Sequence, residues 1–471
     1  MTKEAERNNL PAIGRRGWVM LLLILFFAAF LRGWRLSYPL NDVGDEHWYI
    51  PAALTYLAGV RDSNQVHPPL GKIMIAASLK TYLKLKHFDC LYLPLAIRNN
   101  GVGYFYDFWA ARLTSFFCGL GCILLTFLLA YRVSRGSLTV AELAAFFVAT
   151  DFLSISFSRT ATLDMPLSLW VLAGAYFCQR YLEAFRQNSK ASIAWALLCA
   201  ASFGLATATK WSGLAGALVC CLAMIDAGNS PESTNWRSKL GQALKLSTMF
   251  LAVMAVMYVA TYLPQLLREG FNLETVKSIA TIPLNMLSIR SSQNFSGDYS
   301  SPFWLWPLGL YPFMAQFRFR EFIASNGEAY NSCLLYCSSV VLWWPGLYFS
   351  LKYFAASIKE RLSGLKQPSW LMITSLWLAN WLFWLPFTQG GFLYYMLCGL
   401  PFMAIVMAGV LNNWIEEKHY VRAAFYLYLV SLALALYYPL LTLLPISNGM
   451  YNFLFPQWLA RFLAFTKTAF F

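Results

Sequence analysis

The sequence predicts an all-α polytopic membrane protein, and three observations carry that prediction. Of 471 residues, 58% are hydrophobic and 12% charged, whereas a soluble domain carries about 25% charged residues. Apolar runs approaching the ~20 residues that cross a bilayer recur along the chain. Eighteen Trp, 26 Tyr and 37 Phe supply enough aromatic rings for belts at both membrane interfaces.

The first apolar run follows Arg15 and Arg16, as in a signal peptide, but it is long enough to span. No small-residue cleavage pattern follows it, so it reads as a retained helix. Applying the spanning length throughout gives about eleven candidates. They centre near residues 25, 121, 146, 169, 200, 218, 255, 342, 378, 401 and 433. Segments 138–157 and 162–178 are separated only by Ser158-Arg159-Thr160, and the pair near 200 and 218 only by the region of Lys210.

Orientation follows from cations in short connections. Lys3, Arg7, Arg15 and Arg16 place the N-terminus on the cytoplasmic side. Alternation puts Arg132/Arg135, Arg180/Arg186/Lys190, Arg237/Lys239/Lys245, Lys352/Lys359/Arg361/Lys366 and Lys418/Arg422 on that side too. The connections near Arg159, Lys210 and Gln389 hold one positive charge or none. An odd helix count with an external C-terminus is expected.

Two long connections face outward in this scheme, 37–110 and 270–332. Both are too apolar and aromatic for disordered tails, so short interfacial helices are expected there. No repeat or low-complexity tract appears, and 1–471 reads as one membrane domain. The net charge of +14 is scattered through short loops. Positive-inside anchoring and contact with anionic lipid or lipid phosphate explain it, and nucleic acid is not an expected partner. Ten Cys lie mostly in apolar segments (Cys118, Cys122, Cys178, Cys199, Cys220, Cys221, Cys398) without CxxC spacing, and read as small hydrophobes. Cys333 and Cys337 take the same reading.

The polar chemistry concentrates between Arg32 and Lys72. Asp45 and Glu46 are adjacent, so their side chains point different ways. A carboxylate at a membrane face can act as general base toward a hydroxyl, or an acidic pair can simply favour a helix N-terminus. His67-Pro68-Pro69 presents a histidine from a rigid turn, since proline forbids helix before it. His67 could position a phosphate, a carboxylate or a metal. His47 lies close enough in sequence to keep a divalent metal on Asp45, His47 and His67 open, although the spacing is no recognised ligand pattern. Lys72 stands where the helix dipole disfavours a cation, which hints at an anionic partner. Arg112, Lys210 and Arg35 could each snorkel to headgroups, and Asp164 could be a helix N-cap.

The run Arg32…Pro39…Asp45-Glu46-His47…His67-Pro68-Pro69-Leu70-Gly71-Lys72 resembles the first external loop of the protein O-mannosyltransferases, membrane enzymes of the GT-C class that use polyprenyl-phosphate-linked mannose. Further resemblances follow in order: Ala111-Arg112-Leu113, Ser158-Arg159-Thr160-Ala161-Thr162-Leu163-Asp164, Lys210-Trp211-Ser212-Gly213-Leu214, and Tyr299-Ser300-Ser301-Pro302-Phe303-Trp304-Leu305-Trp306-Pro307. The resemblance implies a catalytic base at Asp45 with Glu46 as companion. It implies donor-phosphate contacts from Arg32, Arg112 and Lys210. His47, His67, Lys72, Arg159, Asp164, Trp304, Trp306, Tyr394 and Tyr395 are expected to shape the site or meet the acceptor.

Where the family has an aromatic-Tyr-His step, this chain reads Thr388-Gln389-Gly390-Gly391-Phe392-Leu393-Tyr394-Tyr395-Met396, without the histidine. There is also no room for the soluble domain of the eukaryotic enzymes, which resembles a compact bacterial-type member in the inner or plasma membrane. The implied reaction transfers mannose from a polyprenyl-phosphate carrier to an acceptor hydroxyl, a protein Ser/Thr in the first place, by one inverting displacement. No cofactor is required, and a divalent metal stays open. Two alternatives remain: a polyprenyl-phosphate sugar transferase acting on lipid A or another glycolipid or glycan, and a transporter of lipid-linked sugars.

Overall fold

A computed structural model describes residues 10–60, 62, 64–86, 107–228, 236–292, 300–309, 313–323, 329–363, 368–386, 391–442 and 446–447. Among them the chain is nearly all helix. In order the helices are α1 Arg15–Gly33, α2 Glu46–Leu57, α3 Leu70–Leu85, α4 Phe108–Val133, α5 Leu138–Thr150, α6 Phe152–Ser158, α7 Asp164–Arg186 and α8 Ala191–Thr207. There follow α9 Gly213–Gly228, α10 Trp236–Ala260, α11 Leu263–Glu269, α12 Leu273–Ser292, α13 Val340–Leu362, α14 Pro368–Leu382, α15 Leu400–Glu416 and α16 Tyr420–Leu441.

Each of the eleven expected span centres falls inside one of these helices. By length and composition α1, α4, α10 and α16 can each cross a bilayer alone, and α5 with α6 passes that test as one bent span. The helices α8, α9 and α15 are apolar but shorter. The segment 37–110 contributes α2 and α3, and 270–332 contributes α12 and a 3-10 turn at Phe303–Leu308.

One element departs from the all-α expectation. Strands β1 Phe313–Ile323, β2 Ala329–Tyr336 and β3 Ile446–Ser447 form a small antiparallel sheet in that order. The signal was present in Phe317-Arg318-Phe319-Arg320, an alternation of period two. A search for long apolar runs passes over it.

Among the described residues the largest of four apolar clusters runs through α4, α5, α7, α8, α9, α14 and α15. Small residues let these helices approach closely. At Gly174 an added Cβ would stand 2.5 Å from the Phe203 ring. The Sγ atoms of Cys178, Cys199 and Cys220 meet from α7, α8 and α9, all within 4.8 Å of one another, in fully buried packing.

The break between α5 and α6 has an identifiable cause. The two helices meet at 62°. Asp151 caps α6 by accepting from the Ser154 N–H at 3.0 Å and takes the indole N–H of Trp343 at 2.8 Å. The break frees carbonyls at the end of α5, and Arg32 of α1 donates to two of them, Val148 at 3.0 Å and Ala149 at 2.8 Å. In a medium without water such groups need an internal partner.

Candidate active site

The chain enters α2 through Gly44, in the left-handed region at φ 55°, and the two acids then diverge. Glu46 turns back into the fold and is fully buried. Its carboxylate accepts from the Val43 N–H at 3.0 Å, the Ala161 N–H at 2.7 Å, and both Nε and Nη2 of Arg112 at 2.8 Å. Arg112 spends its other N–H groups on the carbonyls of Leu36, Pro39 and Asn41 at 2.9–3.1 Å. This bidentate pair ties the 36–46 segment, α4 and the 158–164 turn into one frame.

That frame corrects two expectations. Arg112 has no N–H left for a donor phosphate, and Glu46 has no free face for a catalytic role. Arg32 needs the same correction. It is fully buried, and its guanidinium is used by Ala28, Val148 and Ala149 carbonyls and by the Ser154 and Ser158 hydroxyls. Arg159 donates to the carbonyls of Leu31, Arg32, Trp34 and Arg35, closing the C-terminal end of α1.

Lys72 does meet an anion, but an internal one. Its ammonium pairs with Asp62 and also donates to the carbonyls of Asn64 and His67, the last at 2.9 Å. Burial pulls the ammonium pKa down against the opposing charge of Asp62. Lys72 therefore folds the 62–67 turn onto the start of α3. Gly71 lets that start seat closely, since an added Cβ would lie 2.6 Å from Leu163. The Leu70 N–H donates to the Ala208 carbonyl at 3.0 Å, which fixes the neighbouring Lys210 segment.

Asp45 has a different setting. It keeps partial solvent contact, and its Oδ2 accepts from the Tyr394 hydroxyl at 3.2 Å. Close by, Lys210 Nζ donates to both carboxylate oxygens of Asp164, at 2.8 and 3.0 Å, and lies 5.8 Å from the Tyr394 ring centre. Asp164, the first residue of α7, is thus an ion-pair partner, and the N-cap position is Leu163. Crowding away from water raises the Asp45 carboxyl above its ordinary range, and the Asp164 charge adds to this. Lys210 and the Tyr394 hydroxyl oppose it. For Lys210, burial acts downward, but Asp164 and Asp45 outweigh it and hold the ammonium above its usual value.

Donor counting then separates the cations. Two N–H groups of Lys210 serve Asp164, which leaves one ammonium N–H. The guanidinium groups of Arg32 and Arg112 leave none.

His47 points outward, with its ring 3.0 Å from Asp42 and 67% of its side chain exposed. The His67 ring packs on Tyr49 at 5.9 Å between centroids. Asp45, His47 and His67 therefore do not form a metal set. Among the described residues the group of three such side chains close enough to share an ion is the cysteine cluster in the helical core.

Trp306 is buried and Trp304 half-exposed. Trp306 donates to Ser301 and packs edge-on to Tyr395 at 5.5 Å. Ser301 and Gly391 exchange backbone hydrogen bonds at 2.9 and 3.1 Å. The 301–307 segment thereby positions Tyr394 and Tyr395. Tyr299 and Thr388 to Gly390 lie outside the described residues. Tyr49, one helical turn beyond Asp45, is buried against the His67 ring, and that spacing was the signal available in the sequence.

A groove of about 570 Å³ opens between α3 and α4, lined by Met74, Ala77 and Thr81 with Trp109, Leu113 and Phe117. Leu169 of α7 borders it too, about 7.5 Å along that helix from Asp164. Its walls are almost wholly apolar.

Residues 22–267 match the family model described as dolichyl-phosphate-mannose-protein mannosyltransferase. A polyprenol-phosphate-mannose–protein mannosyltransferase of Mycolicibacterium smegmatis is 25% identical, over 94% of this chain and 92% of that protein. One of Mycobacterium tuberculosis is 24% identical, over 93% and 90%. The fold is similar to the solved S. cerevisiae protein O-mannosyltransferase Pmt1-Pmt2 complex bound to the sugar donor, with TM-score 0.76 and 12% identity over 95% of this chain and 93% of that one. With a nearly all-helical membrane fold and more than half its length matched, this chain belongs to the dolichyl-phosphate-mannose-protein mannosyltransferase family.

Proposed function

We propose that this protein transfers a mannosyl residue from a polyprenyl-phosphate carrier to a Ser or Thr hydroxyl of a protein, at the outer face of the plasma membrane. The observation that carries this reading is a partly exposed carboxylate, Asp45, and a buried ammonium, Lys210, both against Tyr394, in a fold that also carries an apolar groove between α3 and α4.

Asp45 accepts the proton of the acceptor hydroxyl as that oxygen attacks the anomeric carbon. The bond from that carbon to the phosphate oxygen breaks, and its electron pair stays on the lipid phosphate. One displacement inverts the anomeric configuration. The remaining Lys210 N–H meets the phosphate oxygen on which charge grows, while Asp164 holds the lysine in place. The groove between α3 and α4 takes the isoprenoid tail. Glu46 and Arg112 keep the frame rigid, so that Asp45 does not have to be reoriented in each turnover.

The test uses purified enzyme in lipid nanodiscs with polyprenyl-phosphate-mannose and Ser/Thr peptides. A mannosyl-peptide with inverted anomeric linkage is the expected product. Mannose appearing only on an added glycolipid would overturn the protein acceptor, and no use of the mannosyl donor would overturn the sugar.

A further inference from the structure

We propose that Cys178, Cys199 and Cys220 form an all-sulfur binding site for one soft monovalent cation of the copper(I) class, which clamps α7, α8 and α9 together.

The three thiols come from three consecutive helices, are each 0% exposed, and bring their Sγ atoms within 4.8 Å of one another. With metal–sulfur bonds of about 2.3 Å, the length for thiolate on zinc, a flat three-coordinate site spaces its sulfurs by about 4.0 Å. Reaching that spacing takes a shift of less than about 1 Å in each pair.

One helical turn away, packing holds the three backbones in register. The Phe203 ring is wedged between Gly174 and Gly216, where an added Cβ would stand 2.5 and 2.7 Å from it. Gly174 precedes Cys178 by four residues, Phe203 follows Cys199 by four, and Gly216 precedes Cys220 by four. Residues four apart share a helix face, so the wedge and the cysteines are adjacent layers of one helix triplet. Close approach of helices asks only for small residues, and glycine supplies it in the first layer. Three thiols meeting at one point in the second layer add a donor set that packing does not require.

The donor set selects the ion. Sulfur is a soft ligand and suits copper(I). Structural zinc takes four ligands, and among the described residues no fourth His, Cys, Asp or Glu joins these three. Charge favours a monovalent ion as well. A net charge in an apolar interior is costly, and a ligating thiol gives up its proton. One proton passing to water as one copper(I) arrives leaves the site neutral, with no electron transferred. Cys178 donates to the Cys220 carbonyl at 3.7 Å, so it is placed to keep its proton. The site is remote from the proposed chemistry, since Cys178 lies about 21 Å along α7 from Asp164. It ties the helix that begins with Asp164 to the two helices that flank Lys210.

The test expresses the whole chain with copper in the medium, so that the ion can enter as the helices assemble. The protein is then purified into lipid nanodiscs under reducing, anaerobic conditions with a copper(I) chelator present. One copper per chain should remain, and Tm should exceed that of protein expressed without copper. Cys178→Ala, Cys199→Ala and Cys220→Ala should each lower retained copper by about tenfold or more. Cys122→Ala and Cys337→Ala, whose thiols lie outside the group, should retain it. X-ray absorption at the copper edge of the wild-type protein needs no variant and should show sulfur as the only ligand atom. Nitrogen or oxygen ligands, loss of the wild-type copper to the chelator, or equal loss in the two control variants would overturn the site. Zinc retained in place of copper would overturn the class of ion.

Discussion

The hydroxyl of Tyr394 donates to Oδ2 of Asp45 at 3.2 Å, across 349 residues of chain. This contact joins the first polar segment to the last part of the core, and on the reading proposed above Asp45, not Glu46, is the base. Asp45→Asn keeps the shape and the Tyr394 contact but removes the proton acceptor. Transfer should fall by about 10²–10⁴-fold, the range for loss of a general base. Thermal stability and binding of polyprenyl phosphate should stay near wild type; turnover at the normal rate would exclude the role.

The acid side of the rate profile should report the same group. Burial raises the Asp45 carboxyl above its ordinary value, about 3.9 for an exposed Asp. The base works only when deprotonated, so activity should be lost as pH falls through a midpoint above that value. Lys210 is held above the usual lysine range and stays charged through neutral pH. No basic limb from this residue is expected below about pH 10. A midpoint at or below ordinary aspartate in kcat/KM would contradict the assignment.

Lys210 and Asp164 form a buried pair whose members fail unequally. Lys210→Met strands a buried carboxylate and removes the proposed phosphate contact. It should destabilise by about 3–5 kcal/mol and weaken donor use. Asp164→Asn in the same chain should recover part of the stability and none of the donor use. Recovery of both in the double variant would show that Lys210 serves packing alone.

Glu46 and Arg112 should behave as structure. Arg112→Ala takes the buried counter-charge from Glu46, which keeps only the Val43 and Ala161 N–H groups, and leaves three carbonyls without that donor, with a cost of about 3–5 kcal/mol. Folded yield and Tm should drop. The fraction that folds should keep its KM for the donor, because every Arg112 N–H was already engaged within the protein. A large rise in donor KM at unchanged Tm would restore Arg112 as a phosphate ligand.

The helices and the position of Asp45 were legible because their signals are local. Apolar length fixed the helical segments, and the turn residues around Asp45 and His67 fixed the loop chemistry. The partners were not legible. Arg32, Arg112 and Lys210 look alike as cations near helix ends, yet the first two are consumed by carbonyls that only the α5–α6 break and the 36–41 turn expose. Which cation keeps a free N–H depends on backbone groups more than a hundred residues away for Arg32. Tyr49 was overlooked for the converse reason. A tyrosine in an aromatic-rich helix carries little information until the fold shows what its ring packs against, here His67.

Gly391 offers the sharpest test of how the second long segment serves the site. A Cβ there would stand 2.7 Å from the Trp306 ring and 3.0 Å from that of Tyr395. Neither is the loose end of a flexible chain: Trp306 is pinned to Ser301 and Tyr395 is stacked on Trp384 at 4.2 Å. Gly391→Ala must therefore push the backbone bridge to Ser301 or shift the rings. An overpacking cost of about 1–3 kcal/mol follows. Because Tyr394 lies three residues on, the larger effect should be a fall in kcat with donor binding retained. Gly14→Ala, with nothing within 4 Å of its added Cβ, should leave both Tm and turnover unchanged. If Gly391→Ala kept full kcat at a lowered Tm, the 301–307 segment would hold the fold without aligning Tyr394 on Asp45.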